Sequence, residues 1–409
     1  MDRRTFIRTM GFIGAGLIPM GHSAWAIASD SPTPTQRKLI VIFLRGAVDG
    51  LSVVIPYSDA SYYRLRPNIA IPRPGVEGGA INLDGRFGLH PALGALEPLW
   101  QARKLAFVHA AGSPDPSRSH FDAQDYMESG TPGRKGTVDG WLNRLLAELP
   151  GVSTPTRAVA IGPIMPRILS GRASVANIAS GNAAGRPSVL DRPQVGDAFA
   201  RLYQGDDKLG GAYKEARDSH KEVMASMEEE MRAANGGAPL PNGFPQDAAR
   251  LASLMRNNAN VQLAFMALGG WDTHANQGTA KGQLASRLDP LGQGLALLAR
   301  RLDTLFQQTT IVVMSEFGRT VRQNGNNGTD HGHGNAVWVL GGAVNGGKVY
   351  GDWRGLEESH LYENRDVPVT TDFRQILAQI AERHLRLSDG QLGRIFPGMS
   401  GGGNLHLIS

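Results

Sequence analysis

The stretch Thr310-Ile311-Val312-Val313-Met314-Ser315-Glu316-Phe317-Gly318-Arg319 decides how this chain is read. Its short, wholly apolar run predicts a strand buried on both faces, because a parallel sheet covered on two sides selects continuous rather than alternating hydrophobicity. Glu316 follows at the carboxyl end of that strand, where open α/β sheets keep their ligands. An Asn/Gly-rich stretch then leads to Gly328-Thr329-Asp330-His331-Gly332-His333-Gly334. The glycines are expected to let this loop turn sharply around a small object. Imidazole and carboxylate together suit a divalent metal, zinc foremost, with manganese or calcium as alternatives. Such residues in a Gly/Asn-rich loop also serve as plain turn formers, so the metal reading draws its force from clusters elsewhere in the chain.

Working outward, the same arrangement recurs three times. Lys38 to Leu44 is a continuous apolar run that ends in Arg45-Gly46-Ala47-Val48-Asp49-Gly50. Residues 104–111 form another, emptying into a Pro-punctuated loop in which Ser119 stands ready to open a helix. A serine there caps a helix, and it equally suits a nucleophile, because a helix N-terminus holds phosphate or sulfate. Residues 261–268 run into Gly269-Gly270-Trp271-Asp272-Thr273-His274. A further strand is expected at 336–340, with helices at 91–100, 246–257, 281–307 and 373–384. The pattern predicts an α/β three-layer sandwich with a mostly parallel central sheet. Strand ends of such a sheet converge on one edge, which would bring Asp49, Ser119, Asp272, His274 and Glu316 together under the 328–334 loop. Residues 151–245 differ, being first Gly/Ala/Ser-rich and then highly charged. They are expected to form an insertion or lid within the domain at 37–409.

The N-terminus has an address of its own. Met1-Asp2-Arg3-Arg4-Thr5-Phe6-Ile7-Arg8 precedes an uncharged run, and Ala24-Trp25-Ala26 offers a small-x-small cleavage site. Residues 1–26 therefore read as a signal peptide, and the adjacent arginines as a twin-arginine signal recognised by that export machinery. A periplasmic or secreted location follows, with no stable membrane span after cleavage. The formal net charge of +5 is carried in part by the leader and is otherwise scattered, which argues against nucleic acid as a partner. The chain has no cysteine, so disulfides, thiolate ligands and a cysteine nucleophile are excluded.

Asp49-Gly50, the 270–274 block, Ser315-Glu316-Phe317-Gly318-Arg319 and the 328–334 loop together resemble the DUF1501 family. That family in turn resembles a branch of the alkaline phosphatase and sulfatase superfamily. The resemblance implies metal ligands at Asp49, Asp272, His274 and Glu316, with the last histidine at His333 or His331 and Asp330 beside them. It implies a nucleophile at Ser119, or at Ser117 as second choice; by their bidentate chemistry, Arg45, Arg118 or Arg319 are expected to clamp the ester oxygens. Many superfamily members carry histidine after the late acidic ligand, where this chain has Phe317. The formylglycine route of sulfatases is closed, since Pro114 stands at the modified position of Pro114-Asp115-Pro116-Ser117-Arg118. The implied activity is hydrolysis of a phosphate or sulfate ester on a small molecule or polymer, and the alternative is a periplasmic metal- or anion-binding or assembly protein on the same fold without turnover.

Overall fold

The computed structural model describes residues 37–151, 154–178, 180, 235–399 and 403–409; the leader at 1–26 and most of the charged stretch after 180 lie outside the described residues. The strands are, in chain order, β1 (Lys38–Leu44), β2 (Val54–Ile55), β3 (Ile81–Asn82), β4 (Gly88–Leu89), β5 (Leu105–Gly112), β6 (Ala158–Ile161), β7 (Ala176–Ile178), β8 (Leu263–Leu268), β9 (Thr309–Ser315), β10 (Asn335–Gly341), β11 (Lys348–Tyr350) and β12 (Thr371–Asp372). Nine of them form the central sheet in the order β11-β5-β10-β9-β1-β8-β6-β7, with β12 also on β5. Every pairing in this sheet is parallel except the two made by β10, which runs antiparallel to β5 and β9. The fold is thus mixed α/β with a largely parallel sheet.

The continuous apolar runs are explained by burial on both faces. On β1, Ile40, Ile42 and Leu44 enter one core with the helices Phe244–Asn257 and Gln283–Leu302. Leu39, Val41 and Phe43 enter a second core with Trp141–Glu148 and Phe373–Gln379. Successive side chains of a strand point to opposite faces, so a strand between two helical layers must be apolar at every position. Burying each such side chain contributes roughly 1.5–3 kcal/mol, which fixes the layer order.

Register makes the strands end together. Leu44 is paired with Leu268 on one side and Ser315 on the other. The loops that begin at Arg45, Gly269 and Glu316 therefore leave the sheet side by side. The excursion at 57–88 carries the short helix Ala60–Leu65 and β3, which joins β4 and β2 at its borders in a small antiparallel sheet.

Two expectations need correction. The span 151–245 is not wholly an insertion, because β6 and β7 extend the central sheet beyond β8. The low hydrophobicity of residues 171–178 fits an edge, where one side of the strand meets water. The glycines of the 328–334 loop are also used differently from the sharp turn expected of them. None of Gly328, Gly332 and Gly334 has positive φ. A Cβ on Gly332 would instead meet the Arg319 backbone at 2.5 Å, and one on Gly334 the Pro368 oxygen at 2.6 Å. These glycines let backbones touch. Among the described residues, no helix is long and apolar enough to cross a membrane.

Candidate metal centre

The helix His120–Ser129 supplies the first component of the site. Ser119 is its N-cap, with an extended backbone and a hydroxyl that accepts the Asp122 N–H at 3.4 Å. The next residue, His120, turns inward and is 7% exposed. Its Nδ1 donates to Glu316 Oε1 at 2.8 Å, and its Nε2 lies 3.6 Å from Asp272 Oδ2.

The loop between β9 and β10 brings His331 and Asp330, and the loop after β8 brings Asp272 and His274. His331 Nδ1 donates to the Arg118 carbonyl at 2.9 Å, which leaves a lone pair on Nε2 in the neutral ring. That Nε2 is 2.9 Å from His120 Nε2, 3.0 Å from His274 Nε2 and 3.5 Å from Asp272 Oδ1. His274 Nε2 is itself 3.0 Å from Asp272 Oδ1, and its Nδ1 faces Asp330 at 3.3 Å. The ligand atoms of His120, Asp272 and His331 all lie within 4.8 Å of one another.

This arrangement passes a chemical test for a metal. Each of the three imidazoles has its Nδ1 held by an oxygen acceptor, the outer-shell pattern that fixes a ligating histidine's tautomer and aims Nε2 inward. Lone pairs so directed repel unless a proton or a cation sits between them. Two imidazole nitrogens and one carboxylate oxygen suit zinc and related divalent ions. His274 stands on the far side of His331, ready to add a nitrogen.

Electrostatics follow from the same contacts. Burial would depress the His120 pKa, but the carboxylates of Asp272 and Glu316 outweigh it and raise it to about 9. Burial likewise opposes ionisation of Glu316, yet the His120 contacts and the Gln124 amide lower its pKa to about 2. Asp272 is held far below the usual carboxylate range against its burial by His120, His274, His331 and Arg319. Burial lowers the His331 pKa, and the neighbouring His120 charge lowers it further. His274 is raised, chiefly by its hydrogen bond to Asp272.

The remaining expected site residues are distributed differently. Glu316 is enclosed by the Gly46 N–H, His120, Gln124 and the Ser315 hydroxyl, so it braces His120 at its outer nitrogen. Gly46, at φ +110°, approaches so closely that a Cβ would meet the Asp272 nitrogen at 2.8 Å. Asp49 is fully buried in a two-pronged pair with Arg66, at 2.5 and 3.0 Å, and also accepts from Ser52 and Gln277. His333 packs its ring 4.6 Å from that of Tyr362.

The arginines are engaged within the protein. Arg319 is buried, bonded to Asp272 and to the carbonyls of Gly46, Ala47 and Thr329. It staples the three strand-end loops together. Arg45 pairs with Glu128 and Gln124, and Arg118 with Glu363 and Asp366. Ser117 accepts the Ser119 N–H at 3.3 Å. Phe317, which directly follows Glu316, lies 4.9 Å from the His120 ring and 5.0 Å from that of His331. It forms a dry wall to the centre.

His120 and Arg66 lie outside the set of residues that the strand-end pattern marks out. A signal for His120 exists in the spacing His120, Gln124, Glu128, a polar stripe at i, i+4 and i+8 that is buried on its helix. Buried polar stripes mark a face committed to other polar groups. Arg66 has no such local signal.

A family model described as "Protein of unknown function (DUF1501)" matches residues 86–396. The chain belongs to the DUF1501 family. No curated protein matches it. Solved structures similar to it include a protein in the alkaline phosphatase superfamily from Vibrio parahaemolyticus, at 9% identity and TM-score 0.40, with 77% of this chain and 62% of that chain covered. They also include the lipoteichoic acid synthase LtaP from Listeria monocytogenes, at 8% identity, TM-score 0.38 and coverage of 87% and 73%. A third is the periplasmic domain of EcEptC from Escherichia coli in complex with Zn, at 9% identity, TM-score 0.36 and coverage of 75% and 73%. The DUF1501 chain thus spans less than two thirds of the Vibrio protein's length.

Proposed function

We propose that this DUF1501 protein is an exported, metal-dependent hydrolase of phosphate or sulfate esters. His120, Asp272 and His331 would hold a divalent ion, zinc by the donor set, with His274 adjoining. The observation that carries this reading is the convergence of His120 Nε2 and His331 Nε2 beside Asp272 while Glu316 and the Arg118 carbonyl hold the outer nitrogens. When bound, the ion would supply positive charge to neutralise the oxygens of the group being transferred.

The chain's own residues do the rest. Glu316 keeps His120 in the tautomer whose inner nitrogen is free to coordinate, and Arg319 keeps Asp272 ionised and in place. Phe317 excludes water from one side and so strengthens every charge interaction there. Ser119 is exposed, and its oxygen takes part in the cap only as an acceptor, so its proton is available to a base and its oxygen to an ester. It is the proposed nucleophile, with Ser117 behind it. Export rests on Arg3 and Arg4; replacing both by Lys should leave precursor in the cytoplasm, and normal export of that variant would reject the twin-arginine assignment.

A second reading, metal binding without turnover, is favoured by the internal pairing of Asp49 with Arg66 and of Arg45 with Glu128. The deciding experiment is a panel of aryl phosphate and aryl sulfate esters given to zinc-loaded mature protein and to Ser119→Ala. Hydrolysis by the parent, lost in the variant at equal zinc content, supports the hydrolase, and the lost cap itself should cost only about 1 kcal/mol of stability. No turnover by the zinc-loaded parent selects the binding reading.

A further inference from the structure

Behind the helix that carries His120 lies a cavity of about 480 Å³, bounded by the loop after β6 and by residues 236–239. Four charged side chains line it, and they cancel in pairs within its own wall. Arg45 pairs with Glu128, and Arg167 with Asp125 at 2.9 Å. Much of the remaining lining is apolar, from Phe121, Ile161, Ile164, Met165 and Phe265, with Gln124 and Ser170 beside them.

Three of those side chains are also anomalously wet. Phe121 is 80% exposed, Ile164 62% and Met165 40%, an unusual concentration of large exposed apolar groups around one opening. Scattered single exposures need no explanation, whereas a cluster rimming a concave space marks a binding site.

The cavity and the candidate centre share their framework. Phe121 directly follows His120, and both it and the exposed Ser119 lie on the first turn of one helix. Gln124, one turn on, accepts from Arg45 in the cavity wall at 2.6 Å and donates to Glu316, the brace of His120, at 2.9 Å. Two hydrogen bonds through Gln124 thus join the cavity wall to the brace of the centre.

We infer that this cavity binds the uncharged, apolar portion of a ligand, an aryl or alkyl group, whose anionic end meets the candidate metal centre. The inference rests on the hydrolase reading for the fate of that ligand, but not for its binding. A volume near 480 Å³ accommodates a fused aromatic ring or a medium alkyl chain, and an uncharged hydrocarbon group suits a lining whose four charged side chains are paired with one another. The substrate class that follows is an aryl or alkyl ester of phosphate or sulfate.

The test uses zinc-loaded mature protein, the uncharged fluorescent probe N-phenyl-1-naphthylamine, and the variants Ile164→Glu and Met165→Glu. Both positions are exposed enough to accept a charge without disturbing the core. The probe should bind saturably at one equivalent, be displaced by naphthyl phosphate and not by glycerol phosphate, and bind at least about tenfold more weakly to either variant at unchanged zinc content, the scale of a mismatch in an apolar pocket. Hydrolysis of naphthyl esters should show the same loss in kcat/KM, carried by KM, with methyl phosphate hydrolysis unaffected. Saturable probe binding that obeys these rules without turnover of any ester would sink the hydrolase reading and leave the cavity's role intact. No saturable probe binding, or esters turned over with no preference for apolar groups and no effect of either variant, would overturn the inference.

Discussion

Asp49 and Glu316 begin from the same position in the fold and end in opposite roles. Both are fully buried carboxylates just past the ends of neighbouring parallel strands, β1 and β9. Asp49 meets a guanidinium, that of Arg66, which pairs with both its oxygens, while Ser52 and Gln277 add further donors to Oδ2. Glu316 meets an imidazole, that of His120, whose far nitrogen goes on to face Asp272 and His331. The partner, more than the strand end, decides whether a carboxylate is structural or belongs to a centre. A guanidinium terminates a charge network because it only donates, whereas an imidazole passes the influence of one carboxylate across to its other nitrogen.

The largest effect expected from this contrast is on stability. Asp49→Ala would strand Arg66, buried beneath the surface with its partner gone, and should destabilise the fold by about 3–5 kcal/mol in denaturant titration. Zinc bound per folded molecule should stay at the parent's level. Loss of zinc from folded Asp49→Ala protein would break the comparison by making Asp49 part of the centre.

Glu316→Gln sharpens the other side. The amide keeps the shape and one acceptor, so folding should survive, while the weakened hold on His120 Nδ1 should reduce zinc affinity by roughly 10–100-fold in a competition titration with a chelator. An unchanged affinity would mean that Glu316 has no part in presenting His120.

How much of this was legible beforehand depends on which forces act locally. The apolar runs at 38–44 and 311–314 announce doubly buried strands, because a strand covered on both faces selects continuous hydrophobicity, and the loops after them could be foreseen to converge from sheet geometry alone. Asp272, His274 and His331 could be picked out since they sit directly in those loops. His120 was overshadowed by Ser119, whose capping role is read from one residue, whereas the His120 face needs the whole 120/124/128 stripe. Arg66 and its pairing with Asp49 were illegible, because the contact depends on where the 57–88 excursion folds back. The glycines of the 328–334 loop were assigned to turning when backbone contact requires them, a distinction that only neighbouring chain can reveal.

A smaller effect is expected on pH dependence. His120 has a folded pKa of about 9, raised above the ordinary value of 6.5. Its contribution to the stability of metal-free protein is therefore complete below about pH 6.5 and fades as pH rises toward 9. Thermal melting of chelator-treated protein should fall across that window, and the fall should be smaller in His120→Gln. Zinc should flatten it, since a bound cation replaces the proton. A rise in melting temperature over the same window would contradict the charge assignment at His120.

The most direct test of the account is the metal content of purified mature protein set beside His331→Ala and Asp49→Ala. The account predicts a divalent ion in the parent, retained in folded Asp49→Ala and lost in His331→Ala, because removing a ligand nitrogen opens the coordination sphere while breaking the Arg66 pair does not. Equal metal in the parent and His331→Ala, or metal lost only from Asp49→Ala, would contradict it.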